Sequence, residues 1–145
     1  MIGDKSQLAD TLSELAEVHY WIGSLTEYEA ARRRYEEALP IYREIGARLG
    51  EANAIRSLGD VHRMLVEYAQ ARELYDRAEA ISREIGDRNG LAGTYWRRGM
   101  LYTRQGQAEK AVVAFQQAER IYTEIGVERW ARDCRERIAA LQQPA

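Results

Sequence analysis

Hydrophobic and small residues recur every three or four positions through most of this chain, as on one face of an amphipathic helix. The best-defined run occupies Ala52, Ile55, Leu58, Gly59, Val61, His62 and Leu65. After a break near 66–68, a second run occupies Tyr68, Ala71, Leu74, Tyr75, Ala78, Ile81 and Ile85. Gly86 follows, and a glycine just past the last periodic residue commonly ends a helix. The pattern therefore predicts a helical hairpin.

The hairpin pattern is repeated along the chain. The tripeptide Glu-Ile-Gly ends at Gly46, Gly86 and Gly126, so the period is 40 residues. A fixed period of this size is the sequence signature of a solenoid built from stacked repeats. We predict one domain over 1–145, with repeats at about 4–46, 47–86 and 87–126. Residues 87–90 are expected to form a polar turn, so the first helix of the third repeat should begin near Leu91.

The first repeat departs from this period. Its first helix aligns with that of the second repeat only at an offset of 43, which places Leu15 over Leu58 and His19 over His62. The extra residues are expected in the hairpin turn, near 24–26. Pro40 falls inside the second helix, where it removes one backbone hydrogen bond and should bend the helix.

The last segment, about 128–142, is half a repeat. Its apolar stripe consists of Trp130, Cys134, Ile138 and Leu141, and its other faces are charged. An isolated solenoid needs its terminal repeat covered by a helix with a polar outer face. We therefore predict a C-terminal capping helix.

The residues at these positions resemble the tetratricopeptide repeat family over about 4–141. That family places a leucine, a small residue and an aromatic residue in its first helix, and alanine, an aromatic residue and alanine in its second. The second repeat supplies Leu58, Gly59, His62, Ala71, Tyr75 and Ala78, and the third supplies Tyr95, Gly99, Tyr102, Ala111, Phe115 and Ala118. Arg98 stands where leucine is expected. The small residues Ala16, Gly59 and Gly99 should mark close approaches between helices.

The resemblance implies an all-α, right-handed superhelical solenoid of three hairpins plus the capping helix. It also implies a scaffold that binds a partner peptide or helix in a concave groove lined by the first helix of each repeat. The 40-residue subtype is similar to the repeats of spindle-orientation scaffolds that bind GoLoco-type peptides. It is more similar to the repeat tails of bacterial STAND-type signalling ATPases and transcription regulators. Only Asn53 supplies a groove asparagine, which argues against GoLoco binding.

The family's concave positions, carried over to this chain, predict the groove residues. They are Glu17, Tyr20, Trp21, Asn53, Arg56, Asp60, Arg63, Met64, Trp96, Met100, Arg104 and Arg135. Tryptophan, tyrosine and arginine are enriched in interface hot spots, and the arginine fork suits carboxylates. One hypothesis is a groove for an acidic, partly apolar peptide, anchored by Arg56, Arg63, Arg104 and Trp96. In the alternative, the charges belong to ordinary solvated helix faces and the tryptophans only pack.

Charge and cysteine content narrow the function class. The formal net charge is −2, which gives no electrostatic reason to expect nucleic acid. Cys134 is the single cysteine, so no intrachain disulfide can form and a reduced cytoplasmic setting is expected. We find no signal-peptide pattern at the start of the sequence and no apolar stretch of the roughly 20 residues that span a bilayer. No membrane association is therefore expected.

No catalytic constellation or phosphate-binding glycine loop is visible, so we expect neither an enzyme nor a cofactor. His19 and His62 are expected to pack in the hairpins rather than bind metal, and Cys134 to be a buried, inert thiol. Arg98 should extend past the helix pair or bind a glutamate. The alternative function is a structural or self-assembly module, either an intramolecular sensor part of a larger signalling protein or a homo-oligomer. A homo-oligomer would form through the uncovered N-terminal end, where Ile2, Leu8 and Leu12 are available.

Overall fold

The computed structural model describes residues 2–144, which form seven α-helices and no β-strand. The helices are α1 (Ile2–Ile22), α2 (Leu25–Ile45), α3 (Arg48–Met64), α4 (Tyr68–Ile85), α5 (Arg88–Arg104), α6 (Ala108–Glu124) and α7 (Glu128–Leu141). The predicted all-α class is confirmed. By their internal contacts the helices form two compact units, Met1–Ile81 and Ser82–Ala145, and each is described separately below.

In the first unit, α1 packs along α2, and α2 packs against α3. The core that α1, α2, α3 and α4 share combines small residues with aromatic rings, such as Ala16, Ala38 and Tyr35, and adds Ile55 and Leu58 from α3. Small side chains let neighbouring helices approach closely, and the rings then fill the space that remains. Close helix–helix contact at small residues, aromatic rings and large aliphatic side chains therefore all contribute to the core of this unit.

The predicted close approach is confirmed at Gly59 and Gly99. A Cβ atom added to Gly59 would lie 2.5 Å from the ring of Tyr75, and one added to Gly99 would lie 2.6 Å from the ring of Phe115. Tyr75 is fully buried, and its hydroxyl donates a hydrogen bond to Oδ1 of Asp60 at 2.6 Å. The Tyr75 ring is therefore fixed in place, because its edge lies against Gly59 and its hydroxyl is bound to Asp60.

The repeated glycine of the Glu-Ile-Gly tripeptide ends its helix as predicted. Gly46, Gly86 and Gly126 have φ values of 70°, 73° and 78°, in the left-handed region that glycine adopts without strain. The N–H groups of Gly46 and Ala47 donate to the carbonyls of Arg43 and Tyr42, which caps the last turn of α2.

The prediction of a longer first turn is wrong. Only Gly23 and Ser24 separate α1 from α2, and Leu25 already belongs to α2. Tyr28 is the equivalent of Tyr68, where α4 begins, so the three extra residues lengthen the second helix at its start. The Ser24 side chain makes this start favourable, because its oxygen accepts a hydrogen bond from the N–H of Glu27 at 3.2 Å.

The predicted polar turn at 87–90 is also wrong, because α5 begins at Arg88. Asp87 is the N-cap residue, and its side chain accepts a hydrogen bond from the N–H of Gly90 at 2.9 Å. Polar residues in the first turn of a helix can resemble a loop in the sequence, because caps and turns favour the same residue types.

Pro40 lies inside α2 as predicted, and the helix continues past it to Ile45.

In the second unit, α5, α6 and α7 share a core around Phe115, Ala118 and Cys134. The helix predicted at the C-terminal end is present as α7, which packs on α6. Cys134 is fully buried, as predicted. Burial, and to a lesser degree the charge of Asp133, raises the pKa of this thiol to about 12, so it stays protonated and unreactive near neutral pH.

Val66 is the only non-glycine among the described residues with a positive φ, at 64°. The equivalent residues in the turns of the other two hairpins are Gly23 and Gly106, with φ values of 79° and 72°. A side chain in the left-handed region costs about 1–2 kcal/mol, and a β-branched one is especially unfavourable. The second hairpin therefore contains strain that the other two lack.

Replacing Gly59 with alanine should destabilise the chain by about 1–3 kcal/mol, because the new methyl group would overlap the fixed Tyr75 ring. Gly3 is the matched control, since it lies in α1 with no atom within 4 Å of an added Cβ. Gly3→Ala should be neutral or slightly stabilising through helix propensity. The measurement is urea denaturation followed by circular dichroism, and equal effects of the two substitutions would contradict the close approach.

Replacing Val66 with glycine should stabilise the chain by about 1 kcal/mol, because the strain of the left-handed backbone is removed. The same substitution at Val113, an exposed position inside α6, should destabilise by about 1 kcal/mol. Thermal unfolding of the two variants beside the wild-type chain provides the comparison. A lower melting temperature for Val66→Gly would show that the residue is not strained.

Candidate functional site

A cavity of about 290 Å³ opens between α1 and α3 in the first unit. Its wall is mostly polar and comes from the helices α1, α2 and α3. The lining residues are Asp10, Ser13, Glu14, Glu17, Tyr35, Tyr42, Gly50, Asn53, Ala54 and Ser57. Two of the predicted groove residues, Glu17 and Asn53, therefore lie at one cavity between the first helices of successive repeats.

Tyr42 is a cavity residue that the sequence interpretation missed. Its hydroxyl donates a hydrogen bond to Oδ1 of Asp10 at 2.7 Å and lies 3.3 Å from Oγ of Ser13. A Cβ atom on Gly50 would lie 2.5 Å from the Tyr42 ring, so glycine at position 50 makes room for it. The glycine pair Gly50 and Gly90, one period apart, was the available signal.

The charged side chains that line the cavity are all negative, although the buried Arg56 guanidinium lies behind its wall, bound to Asn53. Asp10, Glu14 and Glu17 supply carboxylates, and no lysine, arginine or histidine is among the lining residues. The pKa of Tyr42 is raised to about 12, chiefly by burial, with further contributions from the hydrogen bond to Asp10 and from its negative charge. The cavity is therefore electrostatically suited to a positively charged group.

Arg56 and Arg63 do not present their guanidinium groups to solvent, in contrast to the prediction that they anchor a partner. They are 6% and 5% exposed. Nη1 of Arg56 donates a hydrogen bond to Oδ1 of Asn53 at 2.8 Å. A buried cation needs such partners, because leaving water without them is costly.

Arg63 belongs to a buried polar cluster with Tyr20, Asp60 and Tyr75. Its Nη2 donates to the Tyr20 hydroxyl at 3.4 Å, and its Nη1 lies 3.6 Å from Oδ1 of Asp60. Burial alone would lower the pKa of Arg63, but the charge of Asp60 and the two tyrosines outweigh it, so the pKa is raised. Arg63 and Asp60, both predicted for the groove, therefore hold α1, α3 and α4 together.

The other predicted residues of the first unit lie near the end of the first helices. Tyr20 makes edge contact with Trp21 at 5.5 Å between ring centroids and packs against Tyr28 at 5.7 Å. Trp21 is 75% exposed, whereas Met64 is half-buried. Trp21 is thus the predicted aromatic residue of this unit that is most available to another molecule.

The predicted groove residues of the second unit have separate surroundings. Nε1 of Trp96 donates to Oδ2 of Asp133 at 2.6 Å, and the Arg137 guanidinium lies 5.1 Å above the Trp96 ring. Met100 is half-buried and Arg104 is exposed. Arg135 is exposed and forms ion pairs with Glu128 and, at 3.5 Å, Glu119. Trp96 therefore joins α5 to α7.

The two histidines lie at equivalent hairpin junctions. Nδ1 of His62 is 3.2 Å from Oε1 of Glu67, and His19 makes the corresponding contact with Glu27. Among residues 2–144, no group of three or more histidine, cysteine, aspartate or glutamate side chains is arranged to hold a metal.

The Arg98 guanidinium lies over the Tyr95 ring, 5.6 Å from its centroid. Across the same described range, no helix is both long and apolar enough to cross a membrane.

Comparison with known proteins shows what the chain is similar to. The family model described as tetratricopeptide repeat matches residues 7–84 and 51–124. The apo form of RapI is similar at a TM-score of 0.82 and 17% identity, covering 96% of this chain and 38% of that one. BtubC from P. vanneervenii is similar at a TM-score of 0.68 and 18% identity, covering 97% of this chain and 68% of that one. No curated protein matches the sequence.

These structural likenesses support the fold, and with the family model they confirm the helical-repeat solenoid and the resemblance found in the sequence. The chain spans 38% of the length of RapI.

Stability should fall as the pH rises from 10 toward 12, because Tyr42 ionises near pH 10 when unfolded but near 12 when folded. Because the pKa is raised on folding, the contribution of Tyr42 to the free energy of unfolding is complete below pH 10 and is lost as the pH rises above 10. Tyr42→Phe should reduce this fall by about 1–2 kcal/mol. Urea denaturation at pH 9 and above is the measurement, and equal pH slopes for the two chains would contradict the assignment.

Proposed function

Because this chain belongs to the tetratricopeptide repeat family, we propose that it binds a peptide or helix of a partner protein across the face formed by α1 and α3. Protein interaction is the general role of such helical-repeat scaffolds. The family relation supports the class of function, and the polar cavity between the two helices supports the location.

The cavity is the observation that carries the proposal. It is open between two first helices, and exposed Glu17 and Asn53 stand on its opposite sides. Pockets for drug-sized small molecules usually hold about 300–1,000 Å³. A volume of about 290 Å³ lies just below that range and suits one long side chain of a bound segment. We therefore favour a peptide ligand over a cofactor.

The charge of the cavity favours a partner with lysine or arginine at this point. Asp10, Glu14 and Glu17 would all attract a cation, and the partly enclosed site strengthens that attraction relative to open water. The acidic partner predicted from the sequence relied on Arg56, Arg63, Arg104 and Trp96. Of these, Arg56 and Arg63 are buried, Arg56 donates a hydrogen bond to Asn53, and Arg63 lies beside Asp60. A basic residue at the cavity is the arrangement that this surface supports best.

Selection of random phage-displayed peptides against the immobilised chain tests the proposal. The selected peptides should be enriched in lysine and arginine. The variant Glu17→Lys should bind them at least tenfold more weakly, because a cation would then face a cation across the cavity. Binding of the synthetic peptides is measured by fluorescence anisotropy.

The matched control is Glu36→Lys, which makes the same charge change on an exposed position of α2 away from the cavity. It should leave the dissociation constant unchanged. If Glu17→Lys binds as well as the wild-type chain, the site is not at the α1–α3 face. Selection of mainly acidic peptides would instead favour the partner predicted from the arginines.

A further inference from the structure

The solvent side of α1 carries an apolar stripe made of Leu8, Thr11, Leu15, Val18 and Ile22. All five are exposed, and the four aliphatic members have exposures of 38–62%. No charged side chain interrupts the stripe. Trp21 and Leu25 widen it at the hairpin tip, where they are 75% and 71% exposed. This is the largest run of exposed apolar side chains on any one helix of the described chain.

The spacing of the stripe is that of a coiled-coil seam. Its members follow one another at intervals of three, four, three and four residues. A repeat of this kind places apolar side chains on one line along the helix, where they interlock with the same line on a neighbouring helix. The stripe thus has the pattern of a surface for packing against another helix, in contrast to a scatter of single exposed residues.

The second repeat has an equivalent surface on α3, and there it is buried. At the offset of 43 residues, Leu15 and Val18 correspond to Leu58 and Val61 of α3. Leu58 and Val61 are 4% and 0% exposed and lie in the core of the first unit. The same side chains in the same kind of helix are therefore buried in one repeat and uncovered in the other.

The exposed area is close to what a modest dimer needs. Six large side chains, which are 38–75% exposed, each expose on the order of 100 Å², since an aromatic side chain offers roughly 150–250 Å² and an aliphatic one somewhat less. Pairing two such surfaces would bury about 1,200 Å², the lower limit of stable, specific interfaces.

We propose that the stripe on α1 is a homodimer interface, in which α1 packs antiparallel against α1 of a second copy of this chain. A two-fold axis brings the same patch on both copies together, as in most homodimers. In the register that aligns the two apolar stripes, Leu15 faces Val18 of the partner subunit and Ile22 faces Thr11 of the partner subunit. The antiparallel arrangement also places opposite ends of the two helix dipoles side by side.

Sedimentation velocity of the full chain, from low micromolar to near-millimolar concentration, tests the proposal. The wild-type chain should change from monomer to dimer over this range. Val18→Glu should remain a monomer throughout, because the two-fold axis would bring two buried carboxylates close together. Ile22→Glu should do the same and serves as a second variant if Val18→Glu is poorly folded.

Val113→Glu is the matched control, because Val113 lies on α6 and is 55% exposed, against 56% for Val18. This variant should dimerise like the wild-type chain, and circular dichroism should show equal helicity for all variants. Mixing Leu15→Cys with Val18→Cys should give a disulfide-linked dimer under mild oxidation. A wild-type chain that stays monomeric, or a Val18→Glu chain that still dimerises, would overturn the proposal.

Discussion

Contact between a glycine on one helix and an aromatic ring on the next is the constraint on which the rest of the structure depends. It occurs at Gly59 with Tyr75 and at Gly99 with Phe115 inside hairpins, and again at Gly50 with Tyr42 between successive hairpins. In each case an added Cβ would lie within 2.6 Å of a ring atom. Because protein interiors are close-packed, the ring position and the helix separation determine each other.

The same contact organises the polar groups of the first unit. Tyr42 reaches Asp10 only because Gly50 leaves space for its ring, and this hydrogen bond forms part of the cavity wall. Tyr75 likewise presents its hydroxyl to Asp60, which lies beside the buried Arg63. The small residues that set the helix spacing therefore also determine which carboxylates of the unit accept a hydrogen bond from a tyrosine.

The sequence was sufficient to predict the period, the helices and the close contacts inside the hairpins, because each depends on short-range spacing, but it missed the contact of Gly50 with Tyr42 between hairpins. Glycines at intervals of 40 residues mark helix ends reliably, since their left-handed backbone disfavours other residues. The turns were harder, because Ser24 and Asp87 act as helix caps although their residue types also suit loops. The burial of Arg56 could not be read from one helix, since periodicity gives a residue's angular position but not which neighbour covers it.

The two proposed surfaces share α1 without competing for it. Glu17 and Asp10 lie toward the cavity, about a third of a turn around the helix from the centre of the apolar stripe. Dimerisation through Leu15 and Val18 would therefore leave each cavity open. A dimer would display two copies of the binding face, and a partner with two basic segments would bind the second at a raised effective concentration. The dimer would then be stabilised by the partner itself, because a ligand that spans both copies favours the associated state.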